Sequence, residues 1–270
     1  MKSAKRERRS NPLISVVIPT YNVERYLERT LYSIFHQSYK NFEVIIQDGG
    51  STDRTVHIIK KYAKKYPYAL TWESKKDKGQ TDAINKGFNK AKGDIFYYLN
   101  GDDLLSVDAF ASISESYKEH AGCLWFTGYG NIIDDDDIVI SHWVTLYKNF
   151  LLRQNRRFLL LCVNYFTQPS TFLTKKAYQL YGPFTGVGKI ILEYELWIKL
   201  SRIEMPIVIE KNLSSFRLTR DGFSSTSFQK ILSADQELIR RETSNYVILL
   251  IHWLNNMSRI ALISLLRKYD

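Results

Sequence analysis

A layered α/β fold, with a mainly parallel sheet and helices on both faces, is the class that the sequence predicts. Apolar strand-like runs alternate with helix-periodic segments from Leu13 to Leu99, the pattern of repeated strand–helix–strand units. Each run ends in a polar loop, and most of these loops contain glycine. A length of 270 residues with 44% hydrophobic side chains supplies core for one large domain, or for a domain with an appendage.

Residues 1–11, with Lys2, Lys5, Arg6, Arg8 and Arg9, read as a disordered basic arm without a secretory signal pattern. Leu13–Ile18 is predicted as the first strand, ended by Pro19-Thr20-Tyr21-Asn22 because proline cannot continue an interior ladder. Leu27, Leu31, Ile34 and Phe35 then recur at helical spacing. Phe42–Gln47 is the second strand, Asp48–Asp53 a glycine turn, and Thr55–Tyr66 a helix. Ala69–Glu73, the loop Ser74–Gly79 and the helix Thr81–Lys92 repeat the plan. The fourth strand, Ile95–Leu99, breaks into Asn100-Gly101-Asp102-Asp103. In parallel sheets ligands bind where strands end, so one edge should gather Thr20, Asn22, Asp48, Asp53, Asp77, Lys78, Asp102 and Asp103. Neither a P-loop pattern nor Gly-x-Gly-x-x-Gly follows the first strand, which counts against a nicotinamide dehydrogenase.

Two adjacent carboxylates at such an edge repel unless a cation sits between them and a ligand. A hard divalent ion such as Mg²⁺ or Mn²⁺, bridging carboxylates to substrate phosphates, would serve. The alternative is that Asp102 or Asp103 caps the helix that begins near Val107.

Beyond Asp103 the alternation is lost. Leu124–Gly130 and Ile138–Ser141 flank Asp134–Asp137, which reads as the solvated tip of a hairpin and not as a metal site. Thr145–Cys162 mixes basic and apolar residues, Gln168–Thr174 is a short segment, and the helix Lys175–Tyr181 stops at Gly182-Pro183. Glu193 and Glu195 open the helix Leu192–Leu200, about 160° apart around its axis, so only one can face a given site. Ile207–Ile209 and Ser214–Arg217 are predicted as two short strands, and the last segment as one or two helices. Polar residues interrupt Tyr246–Leu266, which favours a packed amphipathic helix, with membrane-surface attachment as the alternative to a spanning one.

The net charge of +10 suits an anionic ligand or surface. Nucleic acid is disfavoured because the aromatics fall at core positions without interleaved basic platforms. Cys123 and Cys162 have neither metal-ligand spacing nor a disulfide framework, as expected for a reducing compartment.

Taken in order, the motifs Val16-Val17-Ile18-Pro19-Thr20-Tyr21-Asn22, Asp48-Gly49-Gly50-Ser51-Thr52-Asp53, Asp77–Gly87, Leu99–Asp103, Gln168–Phe172 and Glu193–Trp197 are similar to those of family 2 glycosyltransferases of the GT-A fold. The resemblance covers residues 13 to 220 or so. It divides the chain into a catalytic domain over 12–222, with a nucleotide-binding half (12–103) and an acceptor-side half (104–222), and a helical extension over 223–270.

Such a protein transfers a sugar from a nucleotide-diphosphate sugar, UDP-linked in the expected case, to an acceptor hydroxyl with inversion. Its setting would be surface polysaccharide or lipopolysaccharide synthesis, cytoplasmic or peripheral on the inner face of the cytoplasmic membrane, on glycan or lipid-linked acceptors. The resemblance implies nucleotide contacts by Pro19, Thr20, Tyr21, Asn22, Asp48, Lys78, Asp82 and Asp102, with Asp48 accepting from the base. It implies Mn²⁺ or Mg²⁺ on Asp103, assisted by Asp102, and Glu193 as base with Glu195 as runner-up. Three positions depart from the family pattern: Asn100 begins the metal motif, Gly49 replaces an Asp, and Thr219 stands where a His is common. They keep open a catalytically silent nucleotide-sugar-binding or scaffold protein.

Overall fold

A computed structural model describes residues 11–185, 191–219 and 228–266. The predicted basic arm, Asn11 apart, and the boundary at 222 lie outside the described residues. In chain order the elements are β1 (Ile14–Thr20), α1 (Glu24–Phe35), β2 (Phe42–Asp48), α2 (Thr55–Lys65), β3 (Leu70–Ser74), α3 (Gln80–Lys90), β4 (Ile95–Tyr98), β5 (Leu104–Leu105), α4 (Ala109–Glu119) and β6 (Trp125–Ile133). Then follow β7 (Val139–Ile140), α5 (His142–Gln154), α6 (Arg157–Cys162), a 3₁₀ turn (Gln168–Ser170), β8 (Thr171–Thr174), α7 (Lys175–Tyr181), α8 (Leu192–Ser201), β9 (Ile207–Arg217), α9 (Phe228–Glu242) and α10 (Tyr246–Leu266). The chain forms two compact units, the first from Met1–Asn131, Thr167–Pro183 and Pro206–Arg217 and the second from Ile132–Phe166, Phe184–Met205 and Leu218–Asp270.

The sheet of the first unit runs β3-β2-β1-β4-β8-β6-β9-β5. β1 pairs in parallel with β2 and β4, and β2 with β3, as alternating strands and helices require. Every residue of β1 is buried, which is why it reads as an unbroken apolar run. Past β4 the pairing turns antiparallel: β8 lies between β4 and β6, and β5 pairs with β9. Thr171–Thr174, too short to stand out in sequence, is thus an interior strand. Ile207–Arg217 is one strand and not two, because the polar Glu210-Lys211-Asn212 stays extended between its buried ends.

Tyr97 fixes β4 to the β8 segment. Its ring stacks on Phe172 at 4.0 Å and its hydroxyl donates to the Pro169 carbonyl at 2.8 Å. This holds Gln168 beside the end of β4, where it matters below.

The second unit is mainly helical. α8 buries Leu192, Tyr194, Leu196, Trp197, Ile198 and Leu200, and Trp197 meets Phe166 edge-on at 5.4 Å. A buried polar chain links α9 and α10: Arg259 donates to Asp235 and to Asn256, each at 3.3 Å, and Asn256 bonds His252 at 3.1 Å. Glu242 accepts from both Arg157 and Arg202. The stretch Thr145–Cys162, unassigned from sequence, is α5 and α6. In the Asp134–Asp137 turn, Asp134 accepts from the backbone of Asp136 and of Ile138, each at 2.9 Å, so its carboxylate closes the hairpin.

α3 lies against β1 through Gly87, where a Cβ would run into Val17 Cγ1. Gly87→Ala is therefore expected to destabilise the protein by about 1–3 kcal/mol through overpacking, outweighing the better helix propensity of alanine. Chemical denaturation checks this; an unchanged or raised midpoint would show that the contact is not tight.

Candidate active site

Strand register builds the first part of the site. Thr20, Asp48 and Ser74 end β1, β2 and β3 side by side. Asp48, 2% exposed, accepts from the hydroxyls of Thr20 (3.1 Å), Ser74 (2.6 Å) and Ser51, and from the amides of Gly50 (3.1 Å) and Ser51 (2.9 Å). Burial pushes its carboxyl upward, but these donors prevail and hold it below the usual carboxylate range. Five donors fill the roughly four lone-pair directions of a carboxylate. Asp48 therefore staples the turn, and a nucleotide base would have to displace one of these donors to reach it.

The loops after β1 and β2 are laced together. Asn22, in the left-handed region at φ 50°, donates its amide to Ser51 Oγ and accepts from the Thr52 amide, both at 2.9 Å. The amide of Val23 donates to Thr55 Oγ1 at 2.9 Å, and that of Glu24 to Asp53 at 3.0 Å. Pro19 and Thr20 are buried within β1, whereas Tyr21 is exposed, its ring open to solvent at the edge. Gly49 has a local cause as well: a Cβ there would meet Asp77 Oδ2 at 3.1 Å, so an aspartate would set two carboxylates against each other.

The third loop enters α3. The Lys78 amide donates to Asp82 at 3.1 Å, Lys86 pairs with Asp82 at 2.9 Å, and the Gly79 amide donates to Asp77 at 2.7 Å. The hydrogen bond and charge of Lys86 lower the Asp82 carboxyl pKa. Asp82 is thus a capping residue of the loop, and Lys78 is an exposed cation on it.

At the end of β4, Asp103 is fully enclosed. Its Oδ1 accepts from the Arg217 amide at 2.8 Å and its Oδ2 from the Asn100 side chain at 3.2 Å. Asp102 is the more accessible of the pair, and its carbonyl accepts from Arg217 Nε at 2.7 Å. Burial pushes both carboxyls upward, Asp103 further because Asp102 is beside it, and the Arg217 charge offsets this only in part. The sequence resemblance implies Asp103 as metal ligand with Asp102 assisting; in the structure Asp103 is enclosed and Asp102 keeps an accessible face. Neither acts as a side-chain cap of α4, whose first turn follows Asp108.

Asn100 sits in a chain of amides: Gln80 donates to its Oδ1 at 2.7 Å, and its Nδ2 reaches Asp103 and, at 3.4 Å, Gln168 Oε1. Gln168 in turn donates to the Tyr98 carbonyl at 3.0 Å. Gln80, Gln168 and Arg217 are the site residues that sequence reasoning does not assign, although all three fall in or beside its motifs.

Among the described residues no three His, Cys, Asp or Glu side chains converge as a metal cluster. A pair of oxygen donors fits Mn²⁺ or Mg²⁺ that takes its other ligands from phosphate and water. Glu193 and Glu195 belong to the second unit, on the first turns of α8. Glu195 pairs with Lys199 at 2.6 Å, and Glu193 is half-buried.

Asn100→Asp removes a donor and adds a third carboxylate next to Asp103. In metal-free protein at neutral pH it is expected to cost about 1–3 kcal/mol, a penalty that shrinks on acidification as the acids protonate. Denaturation across pH measures this, and a variant as stable as wild type at neutral pH would refute the role of the amide.

The family model for Glycosyl transferase family 2 matches residues 15–179. A putative teichuronic acid biosynthesis glycosyltransferase, TuaG of Bacillus subtilis, is 33% identical over 46% of this chain and 49% of its own length. Chondroitin synthase of Escherichia coli is 26% identical over 71% of this chain and 27% of its own length. The chain thus spans less than half the length of these relatives. Among solved structures, S. aureus TarS in complex with UDP-GlcNAc superposes with a TM-score of 0.62 at 16% identity, covering 90% of this chain and 72% of that one. The mannosyltransferase PcManGT from Pyrobaculum calidifontis, in complex with GDP-Man and Mn²⁺, gives 0.58 at 17% identity, covering 97% and 82%. At these identities the structural likeness speaks for the fold, and the family match for the chemistry: the chain has the GT-A fold and belongs to glycosyl transferase family 2, a family of transferases.

Proposed function

We infer that the protein transfers a sugar from a UDP-linked donor to an acceptor hydroxyl, with inversion, during assembly of a surface polysaccharide or lipopolysaccharide. The observation that carries this reading is the edge where β1, β2, β3 and β4 end, with an exposed tyrosine ring, an exposed lysine and a buried acid pair. Relatives named for teichuronic acid and chondroitin support the polymer setting, and the UDP-GlcNAc held by one structural neighbour supports the donor class.

Each side chain then has a task. Tyr21 offers a face for the nucleotide base, while Thr20 and Asn22 hold the backbone that shapes its pocket. Asp48 fixes that loop from below. Lys78 lies where it can pair with a phosphate. Asp103, held by Asn100 and the Arg217 amide, and the more accessible Asp102 would together hold Mn²⁺ or Mg²⁺. The bound cation would offset charge gathering on the departing diphosphate. Glu193 takes the proton from the acceptor hydroxyl as that oxygen bonds to the anomeric carbon and the nucleotide diphosphate leaves. Glu195, whose carboxylate pairs with the Lys199 ammonium, is the runner-up for the same task. The acceptor is a glycan or a lipid-linked glycan, and peripheral contact with a membrane surface belongs to this reading.

A panel of nucleotide sugars tests the reading by released nucleotide diphosphate and by thermal shift. Turnover with one donor, lost on chelation and restored by Mn²⁺, is expected. Donor binding without any hydrolysis or transfer would replace it with a silent binding protein. Glu193→Gln should keep the donor thermal shift and lose about 10²–10⁴-fold in transfer. Full activity in Glu193→Gln with loss in Glu195→Gln would reassign the base.

A further inference from the structure

α5 buries Leu151 and Leu152 near its end but carries an apolar stripe on the outside. Trp143, Leu146, Tyr147 and Phe150 recur at the spacing of one helical stripe and are all exposed, Trp143 by 84% and Phe150 by 60%. The opposite face turns polar groups inward: Thr145 is buried with no hydrogen-bond partner for its hydroxyl, and the Lys148 ammonium donates to the Phe166 carbonyl at 2.9 Å. Folding alone would favour the reverse arrangement, since exposed aromatic area forgoes burial and inward polar groups are costly. The stripe is therefore suited to something outside the chain.

The charge around it narrows what that is. From Ile138 to Leu192, after the Asp134–Asp137 turn, the sequence has no Asp or Glu, and Arg153 and Arg156 stand exposed at the end of the stripe away from that turn in sequence. Tryptophan and tyrosine on an apolar face that ends in basic residues suit a helix lying in the plane of a negatively charged bilayer surface. No described helix is long and apolar enough to cross a membrane, which is consistent with a helix that lies on one. α10 also exposes apolar residues, including Leu250 and Trp253, but among its described side chains it brings one cation, Arg259, where the α5 stripe ends in two.

We propose that the outer stripe of α5, Trp143, Leu146, Tyr147 and Phe150 with Arg153 and Arg156 at its end, docks the protein onto an anionic lipid surface. This deepens the membrane contact proposed above and rests on that reading. Its test contains no sugar donor, so its failure and that of the transferase reading are distinguishable.

The experiment is co-sedimentation of the full chain with vesicles of phosphatidylglycerol and phosphatidylcholine, and with phosphatidylcholine alone. The protein is expected to bind the anionic vesicles, and Trp143→Ser/Phe150→Ser to bind them about tenfold more weakly or worse with an unchanged melting temperature. Arg153→Gln/Arg156→Gln should lose the preference for phosphatidylglycerol. Should the double serine variant unfold, quenching of tryptophan emission by brominated acyl chains, present in the wild type and reduced in Trp143→Phe, reads the same contact. Absence of vesicle binding by the wild type overturns the proposal. So does binding lost in Leu250→Ser/Trp253→Ser and kept in Trp143→Ser/Phe150→Ser, or a solution dimer that the latter pair dissolves.

Discussion

Asp102 and Asp103 leave the end of β4 as neighbouring carboxylates in an interior that disfavours charge, and much of the first unit is arranged around that cost. Asp103 is enclosed and accepts from the Arg217 amide and the Asn100 side chain. Arg217 reaches from β9 to the carbonyl of Asp102, and its guanidinium lies 5.0 Å from the Tyr26 ring on α1. Tyr97 on β4 holds the Pro169 segment, and the neighbouring Gln168 touches Asn100. α1, β9 and the Gln168–Pro169 segment are thereby linked, directly or through Arg217 and Asn100, to the Asp102–Asp103 turn. Even so, burial leaves both acids short of compensation, which a cation held with a diphosphate would supply.

Two of the three departures from the family pattern have local causes. Asparagine at position 100 donates to Asp103 where an aspartate would repel it. Glycine at position 49 leaves room for the Asp77 carboxylate, which caps the turn into α3. Both positions are compensated by the contacts around them. Asp48 makes the same point from the other side, since its five donors bind three strand ends into one platform.

The parallel half of the fold was legible in the sequence because β1, β2 and β4 are largely buried and rich in Val, Ile, Phe and Tyr. Its loops followed from proline, asparagine and glycine at the strand exits. β8 escaped because four residues carry no periodicity, and β9 looked like two strands because its polar middle interrupts the pattern. Within the site, the acids were legible by type and place, but which of them is enclosed was not. Which of two adjacent aspartates faces inward depends on Arg217, 114 positions away, and on the amide chain through Gln80 and Gln168. Contacts of that range leave no local mark. In the second unit, the mixture of basic and apolar residues over Thr145–Cys162 was visible in sequence, whereas the outward turn of the α5 aromatics was a matter of packing.

Calorimetric titration of Mn²⁺, with and without saturating UDP, tests the central claim about the acid pair most directly. Two carboxylates leave most coordination positions to phosphate and water, so the expected result is weak binding of Mn²⁺ alone and binding tighter by about tenfold or more with the nucleotide. Both should be lost in Asp102→Ala. Nucleotide binding that chelation leaves unchanged, together with Mn²⁺ binding indifferent to the nucleotide, would contradict the account.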